Sequence, residues 1–295
     1  MLFNNYIFKK EILSLNRKFK LRNLKKSIDS IRSNNSLIYY WDHEHNWGDS
    51  INEFIFESIL GRKVYSANKV FNCRNLEIIT GIGSVLNSKL SNYSIWGSGF
   101  LSEKHTLIHP PNQVLAVRGK LTEKKIKGLF GKSTDQFGDP GLLFKEFYNP
   151  ICPKEYKLGI IPHFKELDEQ VIRGIRGKYG SEINIISPTM DIFQFADEVS
   201  KCENILSSSL HGLVLAESYG IPTSRISISN KLIGGDYKFE DYYSGVNIPF
   251  ESIGSFNLLE HFDRNTIFSI PCTVKDLKYD SQGLINSLKF KTNIN

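Results

Sequence analysis

Asn204-Ile205-Leu206-Ser207-Ser208-Ser209-Leu210-His211-Gly212-Leu213-Val214-Leu215-Ala216-Glu217-Ser218-Tyr219, continuing to a second apolar run at Thr223–Ile228, is the stretch on which the fold turns. Asn204–Ser207 reads as a buried strand, Leu210–Tyr219 as a helical segment, and Thr223–Ile228 as a strand again. Three hydroxyls close the first strand, and His211 enters the first turn of the helix. There the helix dipole lowers an imidazole's pKa while a bound anion raises it, so such a histidine can donate or accept a proton at neutral pH. The bland reading of a lone histidine is a core residue.

Working outward, the same alternation continues. Leu37–Trp41, Leu76–Thr80, Ser94–Trp96, Val114–Val117, Leu158–Ile161 and Ile183–Ile186 are further strand candidates, with helical segments at Ser50–Leu60 and Asp191–Cys202. Strand–helix alternation implies an α/β fold with mostly parallel sheets covered by helices on both faces. At about 100–200 residues per domain, 295 residues suggest two domains. The stretch Phe144–Lys157, with two prolines and no periodicity, reads as the linker between them. This divides the chain into a basic segment (1–35), an N-terminal Rossmann-like domain (36–150) and a C-terminal one (151–295) that ends in a helical tail. Ligands of open parallel sheets bind beyond the carboxyl ends of the strands, which places the expected site between the two domains.

Hydrophobic residues make up 40% of the chain, charged residues 23% and aromatics 12%, which excludes disordered and low-complexity classes. Cys73, Cys152, Cys202 and Cys272 form no C-x-x-C pair and read as reduced core thiols. No run of about 20 apolar residues is present, and the N-terminus lacks a secretory cleavage pattern, so the expected location is the cytoplasm. The net charge of +6 is concentrated early: Lys9, Lys10, Arg17, Lys18, Lys20, Arg22, Lys25 and Lys26 flank Phe8, Ile12, Leu15 and Phe19 at helical spacing. Such a segment either lies on an anionic membrane surface, making the protein peripheral on the inner face of the cell membrane, or packs its apolar stripe on the protein body. The basic residues do not continue as an aromatic-interleaved patch, so nucleic acid is not an expected partner.

Other strand ends carry polar clusters. Asn46-Trp47-Gly48-Asp49-Ser50 opens a helix, with Asp49 and Ser50 suited to capping. His43 and His45 have no third ligand nearby, and no metal is expected. Gly81-Ile82-Gly83-Ser84 reads as a strand-to-helix turn able to hold an anion, without the third glycine of a dinucleotide fingerprint; Gly97-Ser98-Gly99 repeats it. Val117-Arg118-Gly119 offers either an anion-binding fork or a structural salt bridge. Gly138-Asp139-Pro140 reads as an Asx-turn. Trp41, Trp47, Trp96, Tyr242 and Tyr243 are stacking candidates for a sugar, or core residues.

In their order along the chain, Asn46-Trp47-Gly48-Asp49, Gly81-Ile82-Gly83-Ser84, Val117-Arg118-Gly119, Gly138-Asp139-Pro140, Ile161-Pro162-His163 and the Ser207–Pro222 stretch resemble the polysaccharide pyruvyl transferase family. The resemblance runs from about Leu37 to about Tyr243. It implies a GT-B-like fold, with two Rossmann-type domains whose parallel sheets face an inter-domain cleft. It also implies metal- and cofactor-independent transfer of a pyruvyl group from phosphoenolpyruvate to two hydroxyls of a sugar. The product would be a cyclic ketal on a capsule or exopolysaccharide, or on its lipid-linked oligosaccharide precursor. By motif, His211 matches the family's proposed acid, Arg118 its R-G arginine and Lys231 its downstream donor-contacting lysine. Some members carry arginine two residues before the histidine, where this chain has Ser209; Lys231, Lys201 or the serine hydroxyls would then make that contact. Asp49 is the candidate to orient and deprotonate the hydroxyls, with helix capping as its structural alternative. Asn46, Gly83, Ser84, Ser207, Ser209, His163 and Glu217 complete the expected substrate contacts. Two rival readings are a nucleotide-sugar glycosyltransferase that uses Glu217 on a ribose, and a non-catalytic scaffold in a glycan-assembly complex.

Overall fold

Apolar runs too short for a helix become strands when both faces of a parallel sheet are covered, and ten strands, eight of them from such runs, organise the computed structural model, which describes residues 37–70, 76–229, 234–258 and 263–293. The first half holds β1 (Leu37–Tyr39), α1 (Trp47–Leu60), β2 (Tyr65–Ser66), β3 (Ile78–Thr80), β4 (Tyr93–Trp96), β5 (Val114–Ala116), α2 (Lys120–Phe130) and α3 (Phe144–Phe147). The second holds β6 (Leu158–Ile161), α4 (Gln170–Tyr179), β7 (Ile183–Ile185), α5 (Ile192–Ser200), β8 (Ile205–Ser207), α6 (Leu210–Ser218), β9 (Thr223–Ser227), α7 (Tyr237–Gly245), β10 (Ser255–Asn257), α8 (Arg264–Ser269) and α9 (Ser281–Asn293). The basic segment 1–35, Cys73 and Lys231 lie outside the described residues.

Two parallel five-stranded sheets result, with strand orders β2-β1-β3-β4-β5 and β10-β9-β8-β6-β7. Read from its other edge, the second sheet begins β7-β6-β8, so both sheets place their second strand outside the first and their third inside it. Each is therefore doubly wound, with its winding reversing between its first and third strands. That reversal falls between β1 and β3 in one sheet and between β6 and β8 in the other.

The helices follow from local sequence. Along α1, Ile51, Ile55, Phe56 and Ile59 are buried, Asp49 sits in the positive first turn, and Gly61 ends the helix at φ 64°. Asp191 caps α5 by accepting from the amides of Phe193 and Gln194. Nearly all of α6 is buried, which suits a helix that is apolar on every side. Trp47 joins the halves: its indole N–H donates to the Ile192 carbonyl at 3.0 Å, and its ring packs on Phe144 and Phe195. One core cluster runs from Ile38 and Trp96 through Trp47 to Ile161, Phe195 and Leu215, crossing from the first sheet to the second.

Three local expectations are corrected. Neither Gly81–Ser84 nor Gly97–Gly99 opens a helix; residues 81–92 and 97–113 are loops. Asn87 explains the first, since its side chain donates to the Val85 carbonyl at 2.8 Å and accepts from the Lys89 amide at 2.9 Å. Such local bonds offer the backbone an alternative to helix. In the second, the backbone groups are taken by other segments: the Gly97 amide donates to the Ala116 carbonyl at 2.8 Å, the Gly99 amide to the Gly83 carbonyl at 3.1 Å, and the Ser98 carbonyl accepts from the Arg118 amide at 3.3 Å. The helical tail lies on the first sheet rather than with the second half. Leu284 and Leu288 enter the cluster around Ile38, the Trp96 indole donates to the Leu284 carbonyl at 3.0 Å, and Lys291 pairs with Glu77 at 2.9 Å.

Candidate active site

The loops that leave β1, β3, β6 and β8 flank the two winding reversals, and they carry Asn46–Asp49, Gly81–Ser84, His163 and Ser208–His211. The two sets touch. The Trp47 amide donates to the Pro188 carbonyl at 2.7 Å, and a Cβ on Gly48 would overlap the imidazole of His211. Asn52 locks the first set: its amide group donates to the Asp49 carbonyl at 2.9 Å, and its oxygen accepts from the Ile82 amide at 2.8 Å.

At the centre, His211 Nε2 lies 3.8 Å from Asp139 Oδ2. That separation is too long for a hydrogen bond, and neither atom has another partner among the described residues. Asp139 also closes the turn expected of it, its Oδ1 accepting from the Gly141 amide at 2.8 Å. The turn is legible in the sequence and the second oxygen is not. Burial, with the charges of Lys238 and Arg118 and the neighbouring His163, lowers His211 to about 3, so it is neutral in the ligand-free protein. Burial raises the Asp139 carboxyl to about 6.

Asp49 accepts from Asn46 Nδ2 at 2.8 Å, and a Cβ on Gly83 would stand 3.0 Å from its Oδ1. Gly83 is at φ 116°, a conformation open to glycine that lets the β3 loop approach this carboxyl. Burial, augmented by Asp139, lifts Asp49 to about 7 against the opposing bond from Asn46. The N-cap position of α1 is held by Asn46, without a side-chain cap bond, and Asp49 stands in the first turn instead.

Arg118 is wholly buried and its nitrogens are committed. Nε donates to Asp241 Oδ2 at 2.9 Å, Nη1 to Ser84 Oγ at 2.7 Å and Nη2 to the Phe100 carbonyl at 2.8 Å. It is therefore not an open fork for a donor; it fixes Ser84 and, through Asp241, the helix α7. On that helix, Lys238 is 7% exposed and its ammonium lies 5.2 Å from the centroid of the Phe239 ring. Burial first, then the Arg118 charge, brings its ammonium down to about 8. No periodicity marks Lys238, whose burial depends on how α7 docks.

The serines divide by role. Ser207 Oγ bonds the carbonyls of Ile161 (3.0 Å) and Ser209 (2.9 Å), supporting the loop from beneath. Ser208 Oγ donates to the buried Glu166 at 2.5 Å and accepts from the His163 amide at 2.9 Å. Ser209 stands at the N-cap of α6 without a side-chain cap bond. His163 is lowered to about 3 by burial and by Lys238 and Lys165. Glu217 is not in the site. Its carboxylate accepts from Thr223 at 2.9 Å and from Tyr242 and Tyr243 at 2.8 Å each, tying α6 to β9 and α7, which removes the geometric basis for a ribose contact. Of the five stacking candidates Trp47, Trp96, Tyr242 and Tyr243 are core, while Trp41 is exposed beside His43.

The site thus holds two carboxyls and two imidazoles with displaced pKa values and a helix N-terminus. Such a set can move a proton and hold an anion.

The sequence profile of the family Polysaccharide pyruvyl transferase matches residues 78–230, just over half of the chain. That span includes Ser84, Arg118, Asp139, His163 and His211, with Asp49 and Lys238 beyond its ends. Uncharacterized protein L143 of Acanthamoeba polyphaga mimivirus is 30% identical over 215 residues, which are 70% of this chain and 73% of that protein. Succinoglycan biosynthesis protein ExoV of Rhizobium meliloti (strain 1021) is 25% identical over 226 residues, 72% of this chain and 65% of that protein. The crystal structure of a functional uncharacterized protein, KP1_0663, from Klebsiella pneumoniae subsp. pneumoniae NTUH-K2044 aligns over 75% of this chain and 93% of its own, at 14% identity and a TM-score of 0.46.

Proposed function

The chain belongs to the polysaccharide pyruvyl transferase family, and from that premise we propose that it moves a pyruvyl group from phosphoenolpyruvate onto two hydroxyls of one sugar, closing a cyclic ketal. The acceptor class is a cell-surface polysaccharide or its lipid-linked precursor. The relative ExoV, named for succinoglycan biosynthesis, supports that class. Donor and acceptor meet where the strand ends of the two doubly wound halves converge, in a GT-B-like arrangement. The reaction is cytoplasmic, and the basic segment 1–35 brings the protein to a membrane-held acceptor. Among the described residues no helix is long and apolar enough to cross a membrane.

The observation that carries this reading is the buried His211–Asp139 pair, 3.8 Å apart with both facing atoms unbonded, beside Asp49. Arrival of a trianionic donor raises the His211 pKa, and Asp139 stabilises the resulting imidazolium. That proton goes to the methylene carbon of the enol while the first sugar hydroxyl adds to C2 and loses its proton to Asp49, whose pKa of about 7 suits a base at neutral pH. The bond from C2 to the phosphate oxygen then breaks, and the second hydroxyl adds to C2. Of the two hydroxyl protons, one restores the acid and the other leaves on hydrogen phosphate.

A thermal-shift comparison of phosphoenolpyruvate with UDP and GDP tests the donor. At one hundred times its Kd, phosphoenolpyruvate stabilises the native protein by about 2.7 kcal/mol, and the nucleotides leave the melting temperature unchanged. His211→Ala folds and releases no phosphate in the presence of acceptor. Stabilisation by a nucleotide alone would replace this reading with a nucleotide-sugar glycosyltransferase; silence from all three would favour the scaffold.

A further inference from the structure

Of the three tryptophans in the chain, Trp47 and Trp96 are wholly buried and Trp41 is 45% exposed. Trp41 stands just past the carboxyl end of β1, one of the two strands between which the winding of the first sheet reverses. Two residues before it, the Tyr39 carbonyl accepts from the Gly81 amide at 3.1 Å, which sets the end of β1 against the Gly81–Ser84 loop of the site. Five residues after it, Asn46 bonds Asp49. Residues 41–45 therefore form a rim of the site. Trp41, His43, Glu44 and His45 are exposed along that rim, whereas Asn46 to Asp49 are buried.

An exposed aromatic on a loose loop binds weakly, because ordering the loop consumes the contact energy. The chain around Trp41 is already ordered. Asn68 holds it on both sides, its Nδ2 donating to the Tyr40 carbonyl at 3.1 Å and to Asp42 Oδ1 at 2.8 Å. The Tyr40 side chain is buried, and its hydroxyl donates to Glu53 at 2.7 Å. The indole itself meets the His43 ring edge to face, with centroids 4.7 Å apart and planes at 75°. With its backbone pinned and its ring braced, Trp41 holds a large apolar surface in place at the edge of a polar site. The ligand that fits such a surface has an apolar face and a polar rim. A pyranose is built that way: C–H groups cover its ring faces and hydroxyls surround them, so an indole covers the face and leaves the hydroxyls hydrated. Phosphate and pyruvate have no such face. Glu44 and His45, exposed in the same loop, offer polar partners to the hydroxyls.

We propose that Trp41 is the platform on which a sugar ring of the acceptor stacks. The inference rests on the reading of the acceptor as a sugar. It gives the site two parts: a proton-transfer centre at His211, Asp139 and Asp49, and an aromatic rim that selects the acceptor by the shape of its ring faces. A ring whose stacked face carries an axial hydroxyl fits the indole poorly, so the platform discriminates among epimers.

Because the other two tryptophans are buried, iodide quenching of tryptophan fluorescence at constant ionic strength reads Trp41 in the full chain. The probes are the methyl glycosides of glucose, galactose and mannose, with sorbitol as a polyol that has hydroxyls and no ring. At least one glycoside is expected to protect Trp41 from iodide, and sorbitol is not. The same glycoside should release phosphate from phosphoenolpyruvate. With it, Trp41→Ala is expected to raise the acceptor KM about 10-fold, the upper value of one aromatic contact. The kcat, the KM for phosphoenolpyruvate and the melting temperature should be unchanged, and Trp41→Phe should recover part of the loss; a merely structural role would move kcat or the melting temperature instead. If a glycoside supports phosphate release but leaves quenching unchanged, the assignment of Trp41 is overturned and the transfer reading stands. If a glycoside protects Trp41 and none releases phosphate, the transfer reading falls while Trp41 remains a sugar platform. Quenching that no glycoside changes, or that sorbitol changes equally, overturns the platform. The wild-type quenching decides even if Trp41→Ala fails to fold.

Discussion

A methyl group on Gly48 would fall inside the imidazole of His211, so the first turn of α1 can share the site with that histidine only if position 48 is bare. Gly48→Ala therefore displaces His211. Because misplacing a reacting group by about 1 Å can lower a rate 100-fold, transfer should fall by about that factor while the far-ultraviolet circular dichroism is retained; normal turnover would show that His211 is not the acid. Arg118 makes the opposite kind of contribution. Arg118→Met leaves Asp241 buried without its counter-charge, a loss of about 3–5 kcal/mol, and adding Asp241→Asn should restore a large part of it. Urea midpoints check both, and a single-variant loss below about 1 kcal/mol, the usual value of an exposed pair, would contradict the buried geometry. The sequence marks His211, Asp49, Asn46, Gly83, Ser84, His163 and the serines because each sits at a strand end beside a glycine, proline or helix start. It does not mark the second oxygen of Asp139, the bonds that occupy Arg118 and Glu217, or the burial of Lys238. Those depend on side chains more than 70 residues away in the chain for Asp139 and Arg118, and on the docking of α7 for Lys238 and Glu217.

Among the elements, strands of three or more residues in apolar runs are legible, and β2 and β10 are not, being two and three residues long with no periodicity to read. The loops after β3 and β4 are illegible for a related reason. Glycine after a strand permits a helix to start but does not require one, and the side chain of Asn87 in one loop and the bonds of Gly97–Gly99 to Ala116, Arg118 and Gly83 in the other decide against it. The clearest element-scale consequence concerns α9. Leu284 and Leu288 are completely buried against the first sheet, so Leu284→Ala and Leu288→Ala should each destabilise the protein by about 2–5 kcal/mol. Hydrogen exchange locates the loss: amides of β4 and β5 should lose protection before those of β8 and β9. Equal or reversed loss would mean that the tail does not brace the first sheet. That bracing matters to the site because β5 leads directly into Arg118, and Arg118 holds α7.

At the scale of the whole molecule, the two halves share one strand order with no repeat visible in the sequence, because a winding order needs only apolar runs and not the same residues. Each half brings one winding reversal, and the charges at the two reversals act on a common space. In the ligand-free protein those charges offset one another. His211 and His163 are lowered to about 3, so their contribution to stability is present above about pH 6.5 and lost as pH falls towards 3. Asp139 and Asp49 are raised to about 6 and 7, so theirs is present at low pH and lost as pH rises through those values. A donor trianion breaks the balance, since its charge favours the protonated form of all four groups. Donor binding should then take up a net proton, and between pH 6 and 7.5 affinity should fall as pH rises, by at most about tenfold per unit for each proton taken up. Calorimetry of phosphoenolpyruvate binding in buffers of different ionisation enthalpy measures that proton directly. His211→Gln should remove most of the uptake, and Asp49→Asn should remove part of what remains. Tight donor binding with no proton uptake would mean that the acid is already charged in the free protein, and that His211, buried and neutral, does not supply the proton for the methylene carbon.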